Sequence, residues 1–182
     1  MPLTLLLGGV RSGKSRLAVA LATASRGPVV MIATAEPRDD EMAARIRRHR
    51  ALRPSEWQTV EEPVELAEAL TQAPTNACVI VDCLTLWVSN LMELGLSDDE
   101  ILRRADRAAS CAAAREEPSI VVSNEVGSGI VPVGALARRY ADLLGTINAA
   151  WARMADRVFL VVAGRLLQTA DPTALVPGLS HG

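Results

Sequence analysis

The chain has 182 residues, 49% hydrophobic and 22% charged, which is enough apolar material for one buried core and excludes a disordered chain. Its formal net charge of -2 supplies no positive field to hold a polyanion, so nucleic acid is not an expected partner. No apolar run approaches the roughly 18 residues of a membrane span, and Met1-Pro2-Leu3-Thr4-Leu5 lacks the basic start of a secretion signal, so a cytoplasmic location is expected.

Along the chain, short apolar runs alternate with longer alanine-rich segments of helical period. This is the α/β pattern of a mostly parallel sheet with helices on both faces. Strands are predicted at 3–7, 29–33, 78–81, 120–122 and 158–162, and helices at 14–25, 39–52, 63–72, 84–93, 97–115 and 133–155. The alanine-rich stretch 105–114 reads as an outer helix with Asp106, Arg107 and Arg115 on a solvated side. Pro54, Pro118, Pro132, Pro172 and Pro177 fall between elements, where a missing N–H costs little. Cys78, Cys83 and Cys111 form no Cys-x-x-Cys pair and read as buried thiols rather than a disulfide framework or a zinc site. No repeat or change of composition marks a second domain, so residues 1–182 are taken as one catalytic domain, with the tail from about 171 unassigned.

Gly8-Gly9-Val10-Arg11-Ser12-Gly13-Lys14-Ser15 fits G-x-x-x-x-G-K-[ST], directly after a predicted strand and opening a predicted helix. Backbone N–H groups of such a loop, with the positive end of the helix, surround the phosphates of a nucleoside triphosphate. The expected fold is therefore that of a P-loop NTPase. Lys14, the only lysine among 19 basic residues, is the expected catalytic cation at the β- and γ-phosphates, and Ser15 the expected hydroxyl ligand of Mg²⁺. Asp82 ends the apolar run Cys78-Val79-Ile80-Val81, where a carboxylate can hold the same Mg²⁺ or cap the following helix. With its one lysine already used, the chain cannot contain the Asn-Lys-x-Asp guanine reader of switch GTPases.

The stretch Asp39 to Arg50 places acids in its first turn and bases in its last, as the helix dipole favours. At about 100° per residue, Met42, Ile46 and His49 share a face, while Arg47 and Arg50 point elsewhere. His49 then has two readings: a histidine packed against the sheet with one hydrogen bond, or an imidazole nucleophile on phosphorus. Arg45, Arg48, Arg50 and Arg53 are candidates to hold triphosphate oxygens, or are a solvated basic face.

The phosphate loop, Ile32-Ala33-Thr34, the histidine helix, Arg53-Pro54, Trp57 to Pro63, Asp82 to Trp87 and Ser123 to Pro132 occur in an order and spacing that carry a resemblance. Together they are similar to the bifunctional adenosylcobinamide kinase / adenosylcobinamide-phosphate guanylyltransferase family of cobalamin biosynthesis. The later stretch from Arg139 to Asn148 resembles its D-x-x-G-x-x-N element, and the likeness runs from residue 3 to about 168. The resemblance implies a RecA-like P-loop fold and phosphorylation of adenosylcobinamide by ATP or GTP. It then implies guanylyl transfer from GTP to adenosylcobinamide phosphate through a GMP-histidine intermediate, giving adenosylcobinamide-GDP and pyrophosphate. The resemblance implies that His49 stands at the guanylylated position, and His181, the other histidine, lies outside the likeness. The nucleotide contacts implied are Gly8 to Ser15, Thr34, Ala35, Glu36, Arg50, Ala51, Leu52, Arg53, Glu61 and Asp82; Glu125 is implied to orient the attacking hydroxyl or a water. A corrinoid partner and a homotrimer are implied with them. Trp57 reads as core rather than a corrinoid platform, and Arg165 after Gly164 departs from the pattern. The competing reading is a single-activity P-loop small-molecule kinase in which His49 is structural.

Overall fold

Five strands of the sheet are the apolar runs themselves: β1 (Leu3–Leu7), β2 (Val29–Ala33), β4 (Cys78–Asp82), β5 (Ser119–Val122) and β6 (Arg157–Val162). The computed structural model describes residues 3–25, 27–51 and 53–172, so Leu52, Pro177 and His181 lie outside the described residues. Two further strands, β3 (Gln58–Glu61) and β7 (Arg165–Gln168), were not expected from the sequence. Both are four-residue edge strands, with β7 fully exposed and β3 mostly so, and neither carries a continuous apolar run. Backbone pairing with β2 and β6 holds them, which side-chain periodicity does not report.

The strand order is β3-β2-β4-β5-β1-β6-β7, parallel throughout except for the antiparallel β6–β7 hairpin. Among the described residues the helices are α1 (Lys14–Thr23), α2 (Asp40–Ala51), α3 (Leu66–Gln72), α4 (Leu84–Glu93), α5 (Asp98–Ala113) and α6 (Ala135–Met154). One face of the sheet is covered by α3 to α6 around Trp87 and Trp151, both fully buried. The other face receives α1, whose Ala18 and Ala22 lie on Ile80, Ile120 and Val122. Trp57 is half-buried against that second cluster, as a core residue rather than a free aromatic face.

The predicted helix from residue 63 begins instead at Leu66, because Glu62 Oε1 accepts from the N–H groups of Val64 and Glu65 and turns the chain first. Arg115 is also corrected: it is not on a solvated side. Its guanidinium donates to the carbonyls of Leu70, Ala73, Pro74 and Ala77, closing the C-terminal end of α3. Among the described residues no helix is long and apolar enough to cross a membrane.

The topology decides what meets at the carboxyl edge. Strand β5 lies between β1 and β4, so the phosphate loop and Asp82 sit on strands separated by about 10 Å, twice the interstrand spacing. Helix α1 crosses that gap over β5 and delivers Ser15 to Asp82.

Candidate active site

The loop after β1 is held in a conformation that few residues adopt. Gly8 has φ 149° and Gly13, immediately before α1, φ 105°. A Cβ on Gly8 would lie 2.3 Å from the Val161 carbonyl oxygen. The β6–β7 turn, Ala163-Gly164, braces the loop from outside, its Gly164 N–H donating to Ser12 O at 2.8 Å. Gly8→Ala is expected to cost about 1–3 kcal/mol through strain and overlap, read as a lowered Tm in thermal melts.

Lys14 is buried, and its Nζ donates to Gly8 O at 2.8 Å, Gly9 O at 2.7 Å and Ser12 Oγ at 3.3 Å. Burial lowers its pKa, against the opposing pull of Cys83 and Asp82 and with a further lowering by Arg45. Behind the strand end, the Cys83 thiol is pushed up to about 11, by burial first and the Asp82 carboxylate second.

Asp82 is the point where two predicted elements join. One carboxylate oxygen, Oδ1, lies 3.5 Å from Ser15 Oγ; the other, Oδ2, lies 3.5 Å from His49 Nδ1. The side chain of Asp82 is 12% exposed and that of His49 35%. A hydroxyl and a carboxylate side by side at the mouth of a phosphate loop suit Mg²⁺, which takes few protein ligands and completes its shell with phosphate oxygens and water. No cluster of three or more His, Cys, Asp or Glu side chains that could enclose a metal occurs among the described residues.

Helix α2 carries His49 to this point without burying a single residue. Asp39 caps it, Oδ1 accepting from Met42 N at 2.7 Å, and Arg48, His49 and Arg50 occupy its last turn. The Met42, Ile46 and His49 face is half-buried, and it faces a cavity instead of the sheet core. The expectation that Arg50 points elsewhere is corrected, since Arg50 lines the same cavity and forms an ion pair with Glu61 at the end of β3.

That cavity, about 590 Å³, gathers Val10 to Ser15, Ala35, His49, Arg50, Arg53, Glu61 and Asp82 from the expected residues. Arg45 and Arg48 line it as well. Arg53 is half-buried and lines the cavity, and its Nη1 is buried without a hydrogen-bond partner. Its pKa is lowered, chiefly by burial, with Asp82 opposing and Arg50 adding.

Other expected residues stand outside the lining. Gly8 is buried beneath the loop, while Gly9, Glu36 and Ala51 are exposed away from the cavity. Thr34 is fully buried: its Oγ1 donates to Cys83 O at 2.7 Å and accepts from Cys83 N at 2.9 Å, holding the strand end behind Asp82. Glu125 Oε1 accepts from Gly127 N at 2.7 Å, and it is the preceding residue, Asn124, that faces the cavity. Sequence reasoning also left out Arg16, Leu86 and the Ala163-Gly164 turn. Of these only Gly164 carries a signal, as a glycine just after the predicted strand 158–162.

A family model described as cobinamide kinase / cobinamide phosphate guanyltransferase matches residues 4–169. The bifunctional adenosylcobalamin biosynthesis protein CobP of Pseudomonas aeruginosa is 48% identical over 163 residues, covering 88% of this chain and 92% of the relative. The bifunctional adenosylcobalamin biosynthesis protein CobU of Escherichia coli K12 is 41% identical over 173 residues, covering 88% and 95%. Among solved structures, the RadB recombinase superposes with a TM-score of 0.50 at 18% identity, covering 87% of this chain and 73% of that one. That likeness concerns the fold alone and agrees with the RecA-like P-loop arrangement of the sheet.

Proposed function

Because the chain belongs to the cobinamide kinase / cobinamide phosphate guanyltransferase family, we propose that one domain catalyses both family reactions at the cavity around Asp82. In the first, the hydroxyl of adenosylcobinamide attacks the γ-phosphorus of ATP or GTP, the bond to the β-phosphate oxygen breaks, and the hydroxyl proton is lost. In the second, His49 attacks the α-phosphorus of GTP and pyrophosphate leaves. A phosphate oxygen of adenosylcobinamide phosphate then attacks the histidine-bound GMP, releasing adenosylcobinamide-GDP and the free imidazole.

The observation that carries this reading is the Asp82 carboxylate, with Ser15 on one oxygen and His49 on the other. With Nδ1 turned toward Asp82, Nε2 is the nitrogen left for attack. Lys14, Arg45, Arg48 and Arg53 surround the phosphates, supplying the positioning and charge neutralisation that phosphoryl transfer needs. Ser15 and Asp82 would hold Mg²⁺, which would supply neutralisation of the charge developing on the transferred phosphate. Ala35 and Glu61, which line the cavity, are assigned to the nucleoside, whereas Glu125, turned to the N–H of Gly127 outside the lining, is given no role in the acceptor step. Gly13 lines the cavity and offers its backbone to the phosphates, while Thr34 acts through its hold on the strand end behind Asp82.

We assign the protein to the cytoplasm and to a homotrimer. Self-association is supported by exposed apolar side chains on the loop after β5 and the first turn of α6, where Ile130 is 97%, Val131 74%, Val133 96% and Leu136 70% exposed. The test of the whole reading is radiolabel transfer. Incubation with α-labelled GTP is expected to label the folded protein, γ-labelled GTP to leave no label, and adenosylcobinamide phosphate to discharge the label as adenosylcobinamide-GDP. A protein that makes adenosylcobinamide-GDP without ever holding acid-labile label would overturn the intermediate.

A further inference from the structure

A helix that buries nothing is not located by the core, so something else must fix where His49 sits. The foot of α2 is tied by one polar chain. Arg38, immediately before the capping Asp39, donates from Nη2 to Asn90 Oδ1 at 2.8 Å and to Glu36 Oε2 at 2.7 Å, and pairs with Glu93 at the end of α4. Asn90 is only 4% exposed and lies on α4 beside the buried Trp87, Val88 and Leu91. A carboxamide there costs desolvation, which only its hydrogen bonds offset.

Every one of those bonds goes to a segment that carries the site. Asn90 Nδ2 donates to Thr34 O at 2.8 Å and to Pro63 O at 3.0 Å. Thr34 in turn grips Cys83, next to Asp82, while Pro63 follows the strand bearing Glu61. Arg38 leads into the helix bearing His49. One buried side chain thus refers the nucleophile's helix and the carboxylate's strand to the same point.

We propose that Arg38 and Asn90 are positioning residues for guanylyl transfer: together they set the foot of α2 so that His49 stays over Asp82. The inference rests on the assignment of His49 as the nucleophile. His49 lies about 15 Å along the helix from Asp39 at the usual rise per residue. A tilt of roughly 4° at the foot therefore moves the imidazole by about 1 Å, and such a misplacement can cost up to about 100-fold in rate. The phosphate loop, Lys14 and Ser15 hang from β1 and α1 and are not referred to this tie.

The test compares wild type, Arg38→Met and Arg38→Lys in the full chain. Arg38 is more than a third exposed, so its replacement opens no cavity in the core and removes only the donor to Asn90 Oδ1. In Arg38→Met, the initial rate of labelling by α-labelled GTP is expected to fall at least about tenfold. ATP-dependent phosphorylation of adenosylcobinamide is expected to stay within about twofold, and Arg38→Lys to recover part of the labelling rate. Amide exchange across residues 40–51 is expected to quicken while that of the central strands is unchanged. Parallel loss of both activities, or an unchanged labelling rate in Arg38→Met beside a labelled wild type, would overturn the positioning role alone. A wild type that takes no label would instead remove the His49 assignment and this inference with it.

Discussion

His49→Ala is expected to remove covalent labelling by α-labelled GTP, a loss of at least about three orders of magnitude in rate, as befits deletion of a nucleophile. The substitution should barely touch the fold. His49 is a third exposed on a helix with no buried residue, so the expected change in stability is within about 0.5 kcal/mol. Phosphorylation of adenosylcobinamide at the γ-phosphate is expected to persist, because Lys14, Ser15 and Asp82 remain in place. Separate assays of label uptake and of kinase turnover check both halves. Label retained by the variant sinks the assignment, whereas loss of both activities in a folded variant means that the imidazole also serves phosphoryl transfer.

Lys14→Met is expected to abolish both reactions, by about 100- to 1,000-fold or more, as for loss of a donor preorganised toward developing charge. It should do so without weakening the fold. Burial holds the folded-state pKa of Lys14 below its ordinary 10.5, so between the folded and unfolded values the unfolded chain binds more protons. The group's contribution to stability therefore rises as pH climbs through that interval, and at neutral pH the buried ammonium is a cost. Gly8 O and Gly9 O keep other partners after its removal, the N–H groups of Glu125 and Ser12. The variant's Tm is expected to equal or exceed that of wild type at pH 7, with the difference shrinking toward alkaline pH. A large drop in Tm at pH 7 would show that the three lysine hydrogen bonds outweigh the burial.

The parts of this site legible in the sequence are those whose chemistry and location coincide in one segment. The phosphate loop announces both its ligand and its place after a strand, and Asp82 marks the end of a continuous apolar run because β4 is buried on both faces. His49 was legible as chemistry but not as geometry. Its face lines a cavity because α2 passes over the sheet edge, and nothing in a 3.6-residue period distinguishes a cavity from a core. Thr34 shows the converse: its place at the sheet edge was evident, yet its hydroxyl is turned back onto Cys83. Arg115 looked solvated because an arginine's reach to the carbonyls of another helix leaves no local pattern. Strands β3 and β7 escaped notice since an edge strand needs only backbone pairing on one side.

The interposed strand β5 acts as a spacer gauge. No ladder of hydrogen bonds joins β1 to β4, so the gap between Ser15 and Asp82 is calibrated by the thickness of what lies under α1, chiefly Ile120 and Val122 against Ala18 and Ala22. Bulkier packing at those four positions would jack the helix upward and widen the two-oxygen seat while leaving every catalytic side chain chemically unaltered.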